Sequence, residues 1–199
     1  MAWSTYLALG DSLSTGRGDT GPDGRRIGWT RRLAGILTER TAVPCALTNL
    51  AVDGAAVPVI LGRQLPAARG SRPDLASVTV GMNDIRAREF DPRAFADGLR
   101  LLLGGLAGTG ATVLTCTLPD IAGVISLSPE LVDIARERMR QASDTIREEA
   151  TRHGAMCLDL WQRPEAVDPG LFGADRIHPN ASGHKLMAAA FADMLAPGS

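Results

Sequence analysis

The chain has 199 residues, a length that fits one domain comfortably and two only if both are small. Its 21 basic and 22 acidic residues give a formal net charge of −1, which argues against a general nucleic-acid-binding surface and against a polybasic membrane anchor. Apolar residues make up 45% of the chain and charged residues 22%, the usual balance of a chain that buries a core. The composition therefore predicts a soluble globular protein.

Five short segments, each apolar and containing β-branched or aromatic residues, predict buried strands at positions 6–9, 46–51, 75–80, 112–117 and 155–160. Stretches with helical periodicity follow them at positions 29–38, 58–68, 92–106, 129–153 and 181–195. Such alternation is typical of an α/β domain in which helices cover both faces of a parallel sheet. Because no linker-like run or internal repeat divides the chain, residues 1–199 are predicted to form one domain with a five-stranded parallel sheet.

Glycines and polar residues cluster where four of the predicted strands end. Residues 10–14 follow the first strand, residues 49–54 close the second, residues 81–84 follow the third, and residues 175–179 lie in a long loop beyond the fifth. In an open parallel sheet, ligands bind beyond the carboxyl ends of the strands, near the point where the strand order reverses. The sequence therefore predicts a functional site at this edge of the sheet.

Ser12 is the candidate nucleophile, because a serine hydroxyl becomes reactive when a neighbouring base takes its proton. His178 is the candidate base. Asp175, three residues earlier, lies one tight turn from the imidazole, where a carboxylate would fix the tautomer and stabilise the imidazolium. Taken alone, Ser12 also fits the N-cap of a short helix, and His178 also fits a surface residue in a loop. The conjunction of the three favours acyl-transfer chemistry.

Acyl transfer also needs hydrogen-bond donors for the oxyanion that develops on the substrate. Three candidates are the backbone N–H groups of Ser12 and Gly54 and the side-chain amide of Asn83. Taken singly, Gly54 and Asn83 are equally well explained as turn residues. Asp11 and Asp84 are predicted to make local hydrogen bonds and to cap helices rather than to take part in catalysis.

Four ordered blocks resemble the SGNH hydrolases, also called GDSL esterases/lipases: Gly10-Asp11-Ser12-Leu13, Gly54, Gly81-Met82-Asn83-Asp84 and Asp175-Arg176-Ile177-His178. The family is named for the residues matched here by Ser12, Gly54, Asn83 and His178. The resemblance implies a three-layer α/β/α fold, a triad of Ser12, His178 and Asp175, and an oxyanion hole of Ser12, Gly54 and Asn83. It also implies hydrolysis of small-molecule esters or thioesters without a metal or an organic cofactor.

Two other functions remain open from the sequence. An acyltransferase would use the same acyl-enzyme but pass the acyl group to an alcohol or amine. A non-catalytic ligand-binding module would keep the fold alone, although the intact Ser12, Asp175 and His178 argue against it. Residues 54–62, the longest apolar stretch, are too few to span a bilayer, and the amino terminus lacks the features of a secretory signal. A cytoplasmic protein that neither inserts into membranes nor binds nucleic acid is predicted, with its oligomeric state undetermined.

Several weaker signals receive ordinary structural interpretations. Residues 16–21 match Gly-x-Gly-x-x-Gly, but they do not lead from a strand into a helix, so they are interpreted as a mobile rim of the site rather than a dinucleotide-binding loop. The three cysteines are too far apart for metal-ligand spacing and are predicted to be buried, reduced thiols. His184 is interpreted as a helix-surface or structural residue, and the pairs at 25–26 and 31–32 as solvated arginines.

Five segments are predicted to form the walls of the substrate pocket: residues 13–28, 52–59, 83–90, 118–128 and 164–174. Residues 118–128 are apolar enough to face an acyl chain, although they would pack equally well on the core. Their sequence does not determine the size of the substrate or its leaving group.

Overall fold

In the computed structural model, which describes residues 3–125 and 127–196, five parallel strands form one sheet in the order β2-β1-β3-β4-β5. The strands are β1 (Thr5–Gly10), β2 (Ala46–Asn49), β3 (Leu75–Thr79), β4 (Thr112–Cys116) and β5 (Met156–Leu158). The prediction of a five-stranded parallel sheet is confirmed. The strands β2 to β5 end one to two residues earlier than predicted, because the chain there turns into the loops beyond the sheet.

Helices cover both faces of the sheet. They are α1 (Gly28–Thr41), α2 (Val57–Val59), α3 (Leu65–Ser71), α4 (Met82–Ile85), α5 (Pro92–Ala107), α6 (Pro129–Arg152) and α7 (Ala181–Met194). Short 3-10 helices span Ile121–Gly123, Pro164–Val167 and Pro169–Leu171. The three-layer α/β/α architecture is therefore as predicted, with α4 and the 3-10 turns as additions that periodicity did not indicate.

Alternate residues of β1 enter two separate cores, as the two-residue period of a strand requires. Leu7 and Leu9 point into the core beneath α5 and α6, whereas Tyr6 and Ala8 point into the core beneath α1 and α7. In the second core, the rings of Trp29 and Phe191 stack with centroids 4.8 Å apart. This contact fastens α1 to α7 in a protein with few aromatic residues.

The expectation that all five strands are buried is wrong for β2. Ala46, Thr48 and Asn49 are exposed and Leu47 is only half-buried. The reason is the position of β2 at the edge of the sheet, where only one neighbouring strand pairs with it. An apolar pattern does not reveal whether a strand lies at an edge or in the centre.

The helix predicted over residues 58–68 is a longer and less regular element. It begins at α2, widens into a π-helical turn over Ile60–Gln64, and continues as α3. Gln64 ends the π turn with its side chain buried beside β1, where Nε2 donates to the Gly10 carbonyl at 2.9 Å and Oε1 accepts from the Gly10 N–H at 2.7 Å. This side chain therefore satisfies both backbone groups at the end of β1.

The N-cap residue of α1, Ile27, has an apolar side chain that cannot accept hydrogen bonds from the first N–H groups of the helix. Side chains from elsewhere in the chain accept them instead. Asp19 accepts from the Gly28 N–H at 3.1 Å, and Nδ1 of His184 accepts from the Trp29 N–H at 3.1 Å. Nε2 of His184 then donates to the Arg17 carbonyl at 2.9 Å. His184 is thus a fully buried structural residue, which confirms the structural interpretation and makes the alternative, a helix-surface residue, wrong.

The glycine-rich rim is anchored through the same region. The buried Asp19 carboxylate accepts two hydrogen bonds from Arg32, at 2.7 and 2.9 Å. Arg32 is therefore paired rather than solvated, and the middle of residues 16–21 is fixed to α1 rather than mobile. Such pairing is expected of a carboxylate that lies out of contact with water.

We expect His184→Ala to lower the free energy of unfolding by about 1–3 kcal/mol, because the buried Trp29 N–H loses its acceptor. Burial holds the pKa of His184 below its usual value of 6.5, although the Arg17 carbonyl and Asp19 oppose that shift. The unfolded chain therefore binds a proton that the folded chain does not, and the contribution of His184 to stability falls as the pH drops below about 6.5. Urea unfolding of both proteins at pH 8 and pH 5 should show a smaller difference at pH 5, and an equal difference would contradict this assignment.

Candidate active site

Ser12, His178 and Asp175 form a continuous hydrogen-bonded chain at the carboxyl end of the sheet. Nε2 of His178 lies 2.8 Å from Oγ of Ser12, and Nδ1 of His178 lies 2.7 Å from Oδ2 of Asp175. With Nδ1–H donating to the carboxylate, Nε2 is left as the acceptor for the serine proton. The structure thus brings together the three residues that the sequence singled out, across 166 positions between Ser12 and His178.

A tight turn fixes Asp175 against His178. Oδ1 of Asp175 accepts from the backbone N–H groups of Ile177 and His178, each at 3.0 Å. Arg176, which lies between Asp175 and Ile177, has a φ of 55°. This left-handed conformation is rare outside glycine and recurs at functional turns. Although burial alone would raise it, the hydrogen bonds from His178 and Ile177 hold the pKa of Asp175 at about 2. The carboxylate therefore stays charged opposite the imidazole.

Gly54 lies in the loop after β2 with a φ of 79°, which favours glycine. A Cβ atom built on Gly54 would meet no described atom within 4 Å, so open space adjoins its backbone. Three contacts fix the loop around it: Asp53 accepts from Arg26 at 2.6 and 2.9 Å, the Ala55 carbonyl accepts from Asn83, and the Val57 N–H donates to Asp84 at 2.9 Å. Arg26 is therefore paired with Asp53 while 44% of its side chain stays exposed, so it is solvated as predicted but lies before α1 rather than on a helix face.

Asn83 links that loop to the segment carrying Ser12. Its Nδ2 donates to the Ala55 carbonyl at 3.0 Å and to Oδ2 of Asp11 at 3.2 Å. Both neighbours are acceptors, so the amide must present its NH₂ group to them. Each hydrogen of the amide thus has an acceptor in the resting site, and the bond to Asp11 is the longer of the two.

Asp11 is a buried acceptor for three donors. Oδ1 accepts from the Leu13 N–H at 3.1 Å and from the Thr79 hydroxyl at 3.2 Å, while Oδ2 accepts from Asn83. Burial raises the pKa of Asp11 to about 6, against these hydrogen bonds and with a smaller contribution from the charge of Asp84. Asp11 therefore connects the ends of β1 and β3 through residues 68 and 72 positions away, which is more than the local hydrogen bonding predicted for it.

Asp84 has one satisfied and one unsatisfied oxygen. Oδ1 accepts from the Val57 N–H, whereas buried Oδ2 has no hydrogen-bond partner among the described residues. Burial raises the pKa of this carboxyl above its ordinary value. Asp84 therefore holds the loop of Gly54, and the predicted capping of its own helix is not found, since α4 has no side-chain cap hydrogen bond. In the sequence, only the position of Asp84 next to Asn83 indicated that it holds this loop.

A cavity of about 620 Å³ opens beside Ser12 and His178. Its walls include residues from four of the five predicted segments: Leu13, Asn83, Arg86, Leu118, Ile121, Ala166, Leu171 and Phe172. Within residues 118–128, Ser126 lies outside the described part of the chain. Residues 52–59 are absent from the described lining, contrary to expectation. Their polar contacts are with Asn83, Asp84 and Arg26. A stripe of α7 and the ends of β4 and β5 line the cavity instead, and sequence reasoning missed them.

Within residues 3–125 and 127–196, no group of three His, Cys, Asp or Glu side chains has the arrangement of a metal site. In the same part of the chain, no helix combines the length and hydropathy that crossing a bilayer would need. All three cysteines are free thiols, but only Cys116 is buried, so the predicted burial is wrong for Cys45 and Cys157, which are partly exposed.

The profile of the GDSL-like Lipase/Acylhydrolase family matches residues 8–186, which include Ser12, Gly54, Asn83, Asp175 and His178. The chain belongs to this family. The resemblance drawn from the four sequence blocks is thereby confirmed, and the protein is an enzyme of esterase type that acts on small ester substrates.

Similar proteins agree with this family assignment over nearly the whole chain. An acetylxylan esterase of Geobacillus stearothermophilus is 24% identical over 201 residues, covering 93% of this chain and 90% of that protein. The crystal structure of LAE5, an alpha/beta hydrolase enzyme from the metagenome of Lake Arreo in Spain, has a TM-score of 0.75 at 25% identity and covers 96% of this chain and 94% of the other. The crystal structure of Axe2, an acetylxylan esterase from G. stearothermophilus, has a TM-score of 0.76 at 18% identity with the same coverage and supports the fold alone.

We expect Asp11→Asn to lower kcat by about 10- to 100-fold, because three donors converge on Asp11 and an amide offers only one acceptor oxygen to them. The new NH₂ group would face a donor and displace Asn83 or Leu13. Asp74→Asn is the matched control, since Asp74 accepts hydrogen bonds from Ser4 and Thr5 at the opposite end of the sheet. The control should lower the Tm and leave kcat per folded molecule unchanged; a wild-type kcat in Asp11→Asn would contradict the role of Asp11.

Proposed function

We propose that the protein is a serine hydrolase that cleaves carboxylic esters or thioesters through an acyl-enzyme on Ser12. His178 acts as general base and then general acid, and Asp175 orients it. The N–H groups of Ser12 and Gly54 and the amide of Asn83 form the oxyanion hole. Because these residues come from four loops between positions 12 and 178, we propose that the chain 1–199 works as one catalytic domain.

The acylation step follows from the hydrogen-bonded chain. Nε2 of His178 takes the proton of Ser12 as Oγ attacks the carbonyl carbon, and the carbonyl π electrons move onto the oxygen. The resulting imidazolium lies 2.7 Å from the Asp175 carboxylate, which stabilises its charge. When the tetrahedral intermediate collapses, His178 gives the proton to the leaving oxygen or sulfur, and the acyl group remains on Ser12.

The second step repeats this sequence with water. His178 takes a proton from a water molecule as the water oxygen attacks the acyl-enzyme carbonyl. Collapse of the second intermediate returns the proton to Oγ of Ser12 and releases the carboxylic acid. The side chains of the site and one water molecule thus account for every bond made or broken.

To act in this mechanism, Asn83 must exchange a hydrogen-bond partner, because both of its amide hydrogens already have acceptors. The developing oxyanion would take over the hydrogen that points to Asp11 at 3.2 Å, while the shorter bond to Ala55 keeps the amide in place. Such a donor gains strength only as charge develops, which is how an interaction raises kcat rather than substrate affinity.

The observation that carries the proposal is the chain of contacts Ser12–His178–Asp175 beside an open cavity. Ser12→Ala should abolish ester turnover without changing the Tm appreciably, and His178→Ala should lose nearly as much, because nucleophile and base act as one unit. The double variant should lose little more. His153→Ala is the matched control: it removes a histidine at the end of α6 that contacts Glu149 rather than Ser12.

A fluorophosphonate probe provides a second measurement that does not depend on knowing the substrate. The wild type and His153→Ala should be labelled at Ser12, whereas Ser12→Ala should not be labelled. Substantial ester turnover by Ser12→Ala would reject the assignment of the nucleophile.

We expect Asn83→Ala to lower kcat by about 10²- to 10³-fold with little change in KM, the usual effect of removing one oxyanion donor. The Tm should also fall slightly, because the Ala55 carbonyl loses a hydrogen bond. Steady-state kinetics and thermal melting separate the two effects. If Asn83 serves only the loop of Gly54, the Tm will fall while kcat per folded molecule stays at the wild-type value.

A further inference from the structure

The cavity beside Ser12 has a part that the proposed reaction does not use. One stripe of α7 lines it, with Gly183, Leu186, Met187 and Ala190 at the spacing of residues on a single helical face. Facing this stripe are Leu158 and Leu160 at the end of β5 and Ala166 and Leu171 from the 3-10 helices. We call this part, bounded by these eight residues, the α7 groove.

The α7 groove is apolar, and the charges at its margin are neutralised by partners. Arg163 pairs with Glu165 at 3.3 Å, and Asp193 pairs with Arg40 at 2.8 Å. Leu186 nevertheless leaves 54% of its surface exposed. A large apolar side chain exposed within a concave apolar surface favours the binding of an apolar ligand group, because burial removes both apolar surfaces from water.

The α7 groove lies on the side of His178 in the site. Helix α7 begins two residues after Pro179, which adjoins His178 and lines the same cavity. Another part of the lining, with Val80, Met82 and Ile121, comes from the segments that follow β3 and β4, and it includes Asn83 itself. The cavity therefore has one apolar region next to the proposed general acid and another next to the proposed oxyanion donor.

This placement matters because His178 must reach the leaving atom in the proposed reaction, which puts the alcohol part of the ester on its side. We infer that the α7 groove binds an apolar alcohol portion of the substrate, so that the preferred substrates are esters of alkyl or aryl alcohols. The inference rests on the proposed function. From Gly183 to Ala190 the helix rises about 10 Å, enough for an extended alkyl group of roughly eight carbons. A sugar hydroxyl as leaving group would leave this apolar surface unused.

The test is a series of butyrate esters with a constant acyl group and methyl, butyl, hexyl or octyl alcohols, assayed for kcat/KM by titration of the released acid. Each buried methylene should raise kcat/KM by up to about fourfold until the groove is filled. Leu186→Ser should lower kcat/KM for octyl butyrate by about tenfold and leave methyl butyrate unchanged. Leu186→Met should retain most of the wild-type preference, since it keeps an apolar side chain of similar volume.

Leu101→Ser is the matched control, because Leu101 is 64% exposed on α5 and is not part of the described cavity lining. It should leave the whole ester series unchanged. A kcat/KM that does not depend on the length of the alcohol, or an equal loss in Leu186→Ser and Leu101→Ser, would overturn the role of the groove while Ser12-dependent hydrolysis stands. Absence of Ser12-dependent hydrolysis of every ester, methyl butyrate included, would instead overturn the proposed function and this inference with it.

Discussion

β1 pairs with β2 on one side and with β3 on the other, and all three strands run in the same direction. Their carboxyl ends therefore meet at one edge, with the loop of Ser12 between the loops of Gly54 and Asn83. In open α/β sheets this reversal of strand order creates a crevice, since the connections on either side of it leave in opposite directions. The position of β1 thus decides which three loops converge, and the long loop after β5 then brings His178 to them.

Convergence of loops at a sheet edge creates a problem of hydrogen bonding, because backbone groups there have left the strand ladder. The structure solves it with side chains. Gln64 takes both backbone groups of Gly10, Asp84 takes the Val57 N–H, and Asn83 takes the Ala55 carbonyl. The same contacts hold the proposed oxyanion donors in position. The hydrogen bonds that satisfy the backbone groups at this edge therefore also organise the candidate site.

The two carboxylates nearest the reacting atoms have opposite environments. Asp175 is half-exposed and accepts hydrogen bonds that lower its pKa to about 2, which keeps it charged beside His178. Asp11 is buried, and burial raises its pKa to about 6. In the proposed mechanism a charge at Asp175 stabilises the imidazolium, whereas Asp11 acts on the proposed oxyanion donor Asn83 by accepting a hydrogen bond from it. The difference follows from solvent access and hydrogen-bond donors rather than from residue type.

The sequence by itself determined the alternation of strands and helices, the edge of the sheet that carries the site, and the residues Ser12, Gly54, Asn83, Asp175 and His178. The strand and helix patterns depend on neighbouring residues, and Asp175 reaches His178 within a single turn, so local information sufficed for these features. Ser12, Gly54 and Asn83 were selected by their positions after predicted strands and by the resemblance of the four ordered blocks. It did not reveal the exposure of β2, the π turn that delivers Gln64, or the burial of His184. Only the tertiary structure decided them, together with the partners of Asp11 and the α7 groove. Their contacts join residues 54 to 167 positions apart, and such pairings depend on strand order and helix packing, for which no local pattern carries a signal.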